Sequence, residues 1–328
     1  MPRLRIAQFE ADGSVGTGGG QGAGDIIEGD PYPRASARCR ACGRAGRGDR
    51  ALAVDDVACH ARQAATELLL VRRMDVVGIA DVDGDGRDEV IYGSMAVDDD
   101  GKGLWTQPLF HGDTMHVSDL DPARPGLEKF GVFEDQRQNG MIGSALLDAR
   151  TGQMLWSTPA EKDTGRGVAA DIDPRHWGAE FWNSSSAELF DVAGKPIGPR
   201  PRQMNFAIWW DGDLLRELLD KTTISKWDWE NGKEIPLLSP EGLSSNNGTK
   251  ATPALQADLI GDWREEVVWR SADNRELRIY TTPYPTTHRF VTLMQDPVYR
   301  LGVAWQNTAY NQPPHTSFYL GAGKQGER

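Results

Sequence analysis

The chain has 328 residues, with 36 Lys and Arg against 48 Asp and Glu, and a formal net charge of −12. That balance, with no basic stripe after residue 75, excludes the phosphate-neutralising surface that a nucleic-acid partner requires. No apolar run reaches the roughly 18 residues of a membrane-spanning helix, and Glu67 to Val71 is too short for a signal core, so neither a membrane span nor an export signal is read from the chain as given.

Residues 1–75 differ from the rest. All three cysteines (Cys39, Cys42, Cys59) lie here, all eleven tryptophans lie after residue 104, and lysine first occurs at Lys102. The stretch is rich in Ala, Gly and Arg and keeps neither a two-residue nor a 3.6-residue apolar period. It is therefore expected to be a disordered or mistranslated leader, with a small genuine domain as the alternative. Cys39-Arg-Ala-Cys42 with Cys59-His60 is a poor zinc site, because a closed site needs four ligands and an adjacent Cys-His pair rarely turns both side chains onto one metal. A disulfide is the simpler reading.

Residues 76–328 read as β-propeller. Asp81-Val-Asp83-Gly-Asp85-Gly86-Arg87-Asp-Glu89 places oxygen ligands at alternate positions: Asp81, Asp83, Asp85, the Arg87 carbonyl and Glu89 are expected to wrap Ca2+, with Gly86 supplying the turn. Position 12 is Tyr92 rather than a bidentate Glu and both flanks are strand-like, so the loop joins two strands instead of two helices. Decayed copies follow at Asp119-Leu-Asp121, Asp171-Ile-Asp173, Asp211-Gly-Asp213 and Asp258-Leu-Ile-Gly261, spaced by 38, 52, 40 and 47 residues. A four-stranded blade takes about 40 to 50 residues, so about five blades are expected. Asp119, Asp121, Asp171, Asp173, Asp211 and Asp213 join the candidate metal ligands. Trp105, Trp156 and Trp227 recur where an outer strand follows a turn.

Four segments between the acidic turns carry candidate chemistry. His111-Gly-Asp-Thr-Met-His116 offers two imidazoles, each a candidate metal ligand, acid, base or satisfied core side chain. Gly165-Arg166-Gly167 leaves a guanidinium little covered and able to grip a carboxylate. Asn246-Asn247-Gly248-Thr249-Lys250 is a turn in which amides, a hydroxyl and a lysine converge; crowding by a cation would discharge that lysine and make it a proton acceptor. Trp305-Gln-Asn307-Thr-Ala309-Tyr310 combines aromatics and amides suited to sugar rings and their hydroxyls.

In order and wording these blocks, from Ala80-Asp-Val-Asp-Gly-Asp-Gly86 through Asn205-Phe-Ala-Ile-Trp-Trp-Asp-Gly-Asp213 to Trp305-Gln-Asn-Thr-Ala-Tyr-Asn-Gln-Pro-Pro314, resemble the rhamnogalacturonan lyases of polysaccharide lyase family 11, over about residues 75–323. The resemblance implies an eight-bladed propeller, here represented by about five blades, that binds calcium and cleaves rhamnogalacturonan I at rhamnose-(1,4)-galacturonate bonds. It implies Lys250 and Arg166 nearest the chemistry and substrate contacts from Asn247, Gly248, Thr249, Asn307, Ala309 and Tyr310, with Tyr310, a histidine-containing loop or water as the candidate to protonate the departing O4. The expected reaction is β-elimination, with Lys250 taking the C5 proton and Arg166 with a cation holding the carboxylate, to leave 4,5-unsaturated ends. A non-catalytic calcium propeller binding carbohydrate or protein is the alternative. A two-carboxylate hydrolase is disfavoured, because the acidic residues are committed to the turns. The intact protein is expected to be a monomer acting outside the cell or in the periplasm, where pectin is met.

Overall fold

The computed structural model describes residues 6–9, 76–308, 310 and 312–321. Apart from Ile6–Phe9, the leader reading of residues 1–75, with its cysteines, lies outside the described residues.

Five antiparallel sheets follow one another along the chain. Ile6–Phe9 forms β1. The first blade is β2 (Val77–Ala80), β3 (Glu89–Tyr92), β4 (Met95–Val97) and β5 (Gly103–Thr106). The second is β6 (Gly112–Ser118), β7 (Glu128–Phe133), β8 (Ile142–Asp148) and β9 (Met154–Pro159), with a one-turn helix α1 (Gln136–Asn139) between its middle strands. The third is β10 (Gly167–Ala170), β11 (Glu180–Asn183), β12 (Glu188–Phe190) and β13 (Pro196–Pro199). The fourth is β14 (Phe206–Ile208), β15 (Glu217–Asp220), β16 (Thr223–Asp228) and β17 (Lys233–Leu238). In the fifth, β18 (Leu243–Ser244) and β19 (Leu255–Ala257) both pair with β20 (Glu266–Ser271), β21 (Leu277–Tyr280) pairs with β20, and β1 lies along the far edge of β21. This is a five-blade propeller arrangement, as the spacing of the acidic turns predicts.

The hydrophobic core lies between blades. Val168, Ala170 and Trp182 of the third blade pack on Ala207, Leu218 and Trp227 of the fourth, and Phe206, Ile208 and Leu219 of the fourth pack on Val267 and Trp269 of the fifth. Strands β6, β7, β10 and β11 are buried along their whole length, so their burial shows no alternation even where polar residues such as Asp113, His116 and Lys129 lie within them. Two outer-strand indoles bolt neighbouring blades: Trp105 Nε1 donates to Ala149 O and Trp156 Nε1 to Val192 O, each at 2.9 Å. Beneath them lie Gly152 and Gly194, at φ 70° and 73°, where a Cβ would meet the indole at 2.5 and 2.7 Å. Trp227 departs from the expectation: it lies on the third strand β16 and its ring fills the interface between blades.

The C-terminal segment joins the two ends of the arc. Asp296 caps helix α2 (Pro297–Trp305), which packs on both β2 and β19. The chain then runs through the hub. Gln312 Nε2 donates to Val77 O at 2.6 Å, Ser118 Oγ to Thr316 O at 2.6 Å, and the Tyr319 hydroxyl to Asp171 at 2.5 Å. His315 Nε2 lies 2.7 Å from His116 Nδ1, and its Nδ1 lies 3.3 Å from Arg216 Nη1. Burial lowers the His116 pKa to about 3, so this pair is neutral packing and His116 is a satisfied core imidazole.

One interior group is costly. Lys129 on β7 is 1% exposed with its ammonium 4.7 Å from the Phe133 ring, and burial pulls its pKa from 10.5 to about 7. The stability tied to this depressed value is full above pH 10.5 and lost as pH falls through 7. Replacing Lys129 by Met is expected to raise urea-unfolding stability at pH 6 by at most about 5 kcal/mol and to flatten its rise between neutral and alkaline pH.

Candidate active site

Position along the inner strand decides what each sequence block does within one blade. The acidic turns follow the first strand of each blade, whereas His111, Arg166, Asn205 and Lys250 precede β6, β10, β14 and β19. The two sets therefore occupy opposite ends of the propeller. At about 3.3 Å per residue, β6 alone separates them by roughly 20 Å.

At the acidic end a single device recurs. The Glu that opens each second strand sends Oε2 back to two backbone N–H groups of the preceding turn. Glu89 accepts from Val82 at 2.7 Å and Asp83 at 3.4 Å, Glu128 from Leu120 and Asp121 at 3.0 and 2.9 Å, and Glu180 from Ile172 and Asp173 at 2.8 and 3.0 Å. Glu217 accepts from Trp210 and Asp211 at 2.8 and 3.1 Å, and Glu266 from Leu259 and Ile260 at 2.8 and 3.1 Å. Sequence reasoning found Glu89 alone; the signal for the other four is a Glu at the start of the apolar run after each turn.

The predicted metal residues divide. Asp81, Asp83 and Asp85 gather their oxygens within 4.8 Å, as do Asp83, Glu89 and Asp98, and Glu89 Oε1 is buried with no protein partner. Arg87 donates its N–H to Asp85 at 2.9 Å while its guanidinium turns to Asp99 at 2.6 Å. This all-oxygen cradle with a buried unpartnered carboxylate oxygen fits Ca2+. Asp119, Asp121, Asp171 and Asp173 fall in no such side-chain group among the described residues and have these partners: Asp119 accepts from Tyr319 N at 3.2 Å, Asp171 holds the Tyr319 hydroxyl, Asp121 caps Ala123 N at 3.1 Å, and Asp173 is clasped by Arg175. Asp211 and Asp213 do group with Glu217, but around the Lys226 ammonium, which lies at 2.9, 2.7 and 2.7 Å from the three.

At the other end the predicted catalytic residues meet. Asn247, Gly248 and Ala251 have φ of 58°, 55° and 54°, and Gly248–Lys250 forms one 3-10 turn, pinched shut where Asn246 N donates to Thr252 O at 2.7 Å. This contorted loop leaves Asn247, Gly248 and Thr249 exposed and turns Lys250 inward to 9% exposure. Lys250 Nζ donates to Asp113 and, at 2.7 Å, to Gly165 O, and sits 4.5 Å from the Tyr310 ring centre. Arg166 donates to Thr249 Oγ1 at 2.7 Å. Asn205 Nδ2 ties the loop from behind, to Thr249 O at 3.2 Å and Asp220 at 2.7 Å. Asn307 donates to Ala254 O at 2.9 Å, beside the same loop, and Ala309 lies outside the described residues.

Asp113, Glu134, Asp163 and Asn205 are the residues sequence reasoning missed; only their contacts across blades give them roles. His111 Nε2 lies 3.3 Å from Asp113 Oδ1 and 3.5 Å from Glu134 Oε1, and the three form a fourth cluster of metal-type side chains. Burial raises the Asp163 carboxyl, with Asp113 adding to it, and burial raises Glu134, with Asp163 adding. Burial lowers the Lys250 pKa; Asp113 opposes that shift and the Arg166 charge adds to it. Arg166 is also lowered by burial, but a guanidinium stays charged.

A buried lysine of reduced basicity, beside a guanidinium and an acidic pocket, on a propeller with calcium-type turns, is the arrangement that the sequence resemblance implies. The sequence model described as Rhamnogalacturonan lyase family 11, C-terminal domain, matches residues 64–327. The chain belongs to this family. It is 61% identical over 248 residues to rhamnogalacturonan endolyase YesW of Bacillus subtilis (strain 168), covering 75% of this chain and 39% of that protein. It is 56% identical over 263 residues to rhamnogalacturonan exolyase YesX of the same organism, covering 75% and 43%. The crystal structure of YesW superposes with a TM-score of 0.76 at 56% identity, over 81% of this chain and 45% of that one. The chain thus spans about two fifths of the curated relatives it matches.

In this family-11 domain Asn205 is expected to hold the lysine loop in place. Asn205→Ala should leave the propeller folded while speeding amide exchange at Lys250, whose N–H donates to Asn247 O, by roughly tenfold, the value of one or two hydrogen bonds.

Proposed function

We propose that the chain carries the catalytic lysine end of a calcium-dependent rhamnogalacturonan lyase. The observation that carries this reading is the Lys250 ammonium: it is buried between Asp113, the Gly165 carbonyl and the Tyr310 ring, with burial and Arg166 both drawing its proton away. The names of the relatives supply the substrate class, rhamnogalacturonan, whose galacturonate rings carry a weakly acidic C5 proton next to a carboxylate.

The reaction follows from the residues. Neutral Lys250 takes the C5 proton, negative charge spreads onto the C6 carboxylate, and the Arg166 guanidinium, whose other contacts are Thr249 and Gly165 O, grips that carboxylate. The electron pair then forms the C4–C5 double bond, and the bond from C4 to the rhamnose-bearing oxygen breaks. Tyr310, whose ring lies 4.5 Å from Lys250 Nζ, would return a proton to that oxygen, and the exposed Asn247, Gly248, Thr249 and Asn307 would present amide and hydroxyl groups to the chain of sugars. His111, Asp113 and Glu134 are the residues that would hold a divalent cation at this end, where it would supply positive charge that neutralises Asp113 and stabilises carboxylate charge. Since pectin lies outside cells, this reading implies action after export.

Lys250→Ala and Arg166→Ala should each cut the appearance of ultraviolet-absorbing 4,5-unsaturated ends by roughly 10² to 10⁴-fold while the chain still melts cooperatively, and a variant that keeps its rate removes that residue from the mechanism. Because only neutral Lys250 accepts a proton, the rate should rise with pH and inflect below the ordinary lysine value of 10.5. Products with saturated ends would overturn the lyase reading altogether. Chelation should lower both the melting temperature and the rate, with Ca2+ restoring them; unchanged melting in chelator would remove structural calcium from the account.

A further inference from the structure

The acidic turns share one register. Since Val90 pairs with Val97, Glu89 of the first blade faces Asp98, the residue after the third strand, and Glu128 pairs directly with Asp148 in the second. By the same register Glu180 faces Asp191, Glu217 faces Lys226 and Glu266 faces Thr281. The side chain at this one position sets the charge of the turn beside it. In the first blade it adds a carboxylate: Asp98 joins Asp83 and Glu89 within 4.8 Å, Glu89 Oε1 has no protein partner, and among the described residues no ammonium or guanidinium pairs with the cluster, Arg87 having turned to Asp99.

The fourth blade has a related, shorter turn, Asp211 to Glu217 against Asp81 to Glu89, and the opposite charge at that position. Asp211, Asp213 and Glu217 surround Lys226 Nζ at 2.7 to 2.9 Å, and the lysine side chain is only 18% exposed. Ca2+ bonds oxygen at about 2.3 to 2.6 Å, so three oxygens that close on an ammonium are spaced to close on that ion with a small contraction. Elsewhere the arginines Arg124 and Arg175 reach such carboxylates from the rim, with side chains 37% and 50% exposed, but Lys226 alone among the described residues sits in contact with all three acids of a turn.

We infer that Lys226 is a resident cation. It takes in the fourth blade the place that a divalent ion takes in the first, so that the fourth blade is closed without metal, and removal of its amine opens a divalent-cation site among Asp211, Asp213 and Glu217. The metal half of this inference rests on the calcium reading given above for the first blade. The arrangement has a functional consequence: Asp220, at the far end of β15, holds Asn205 and through it the lysine loop, so a metal-independent fourth blade keeps that support in place when calcium is scarce.

The test uses the full chain with Lys226→Met and Lys226→Asp, read by the number of Ca2+ bound per chain in equilibrium dialysis and by melting temperature in excess chelator and in excess Ca2+. In chelator both variants should melt about 10 °C below the parent, the effect of leaving the buried Glu217 carboxylate and its neighbours uncompensated. Lys226→Asp, which recreates the Asp81, Asp83, Glu89 and Asp98 carboxylates of the first blade, should bind one Ca2+ more than the parent and regain its stability in Ca2+. Equal Ca2+ counts for Lys226→Asp and the parent, or a Lys226→Met that melts with the parent in chelator, would overturn the inference. A parent that binds no Ca2+ would sink the calcium reading of the first blade, yet one ion gained by Lys226→Asp would still support the resident-cation role. If Lys226→Asp does not fold, the melting of Lys226→Met in chelator decides.

Discussion

A carboxylate that accepts two backbone N–H groups from the turn before it is the interaction on which this propeller depends. Each blade must reverse direction between its first and second strands in a turn whose amides have no ladder partner. Glu89, Glu128, Glu180, Glu217 and Glu266 supply that partner from the first residue of the second strand, so the turn and the strand pairing are fixed by one side chain. A buried carboxylate needs positive charge nearby, and the molecule provides it in different ways: an oxygen cradle suited to calcium in the first blade, arginines at the rim of the second and third, and the Lys226 ammonium in the fourth.

Once the turns are held at one end of the inner strands, the loops at the other end are free to vary. Those loops carry Arg166, Lys250 and the acidic cluster around Asp113, which come from three different blades. None of these groups is close to another in sequence: Lys250 is 137 residues from Asp113 and 85 from Gly165. The rigidity of the site is therefore the rigidity of packing between blades, where Trp105 and Trp156 fasten each outer strand to its neighbour.

The C-terminal segment serves both ends. Helix α2 spans the first and fifth inner strands, Tyr310 is set beneath Lys250, and residues 312–320 fill the hub with hydrogen bonds to the first three blades. Asp119 and Asp171 of the acidic turns also hold this segment, and His116 pairs with His315 inside it.

Local chemistry was legible in the sequence. The period of the acidic turns showed the blades, because every blade must solve the same turn, and the glycine and carboxylate pattern at Asp81–Glu89 showed an oxygen cradle, because its ligands are adjacent along the chain. Lys250, Arg166 and Tyr310 were marked by their unusual local wording and by the family it resembles. What only the tertiary structure decided was the partner of each charged group. Whether an Asp-x-Asp turn faces a metal, Tyr319, Arg175 or Lys226 depends on a residue that arrives from another strand or from the far end of the chain, and whether His111 or His116 belongs to the site depends on which blade face it meets. Sequence fixes short-range geometry through backbone preference and spacing, whereas charge compensation in a buried site is set by what folding brings within a few ångströms, and that distance is not written along the chain.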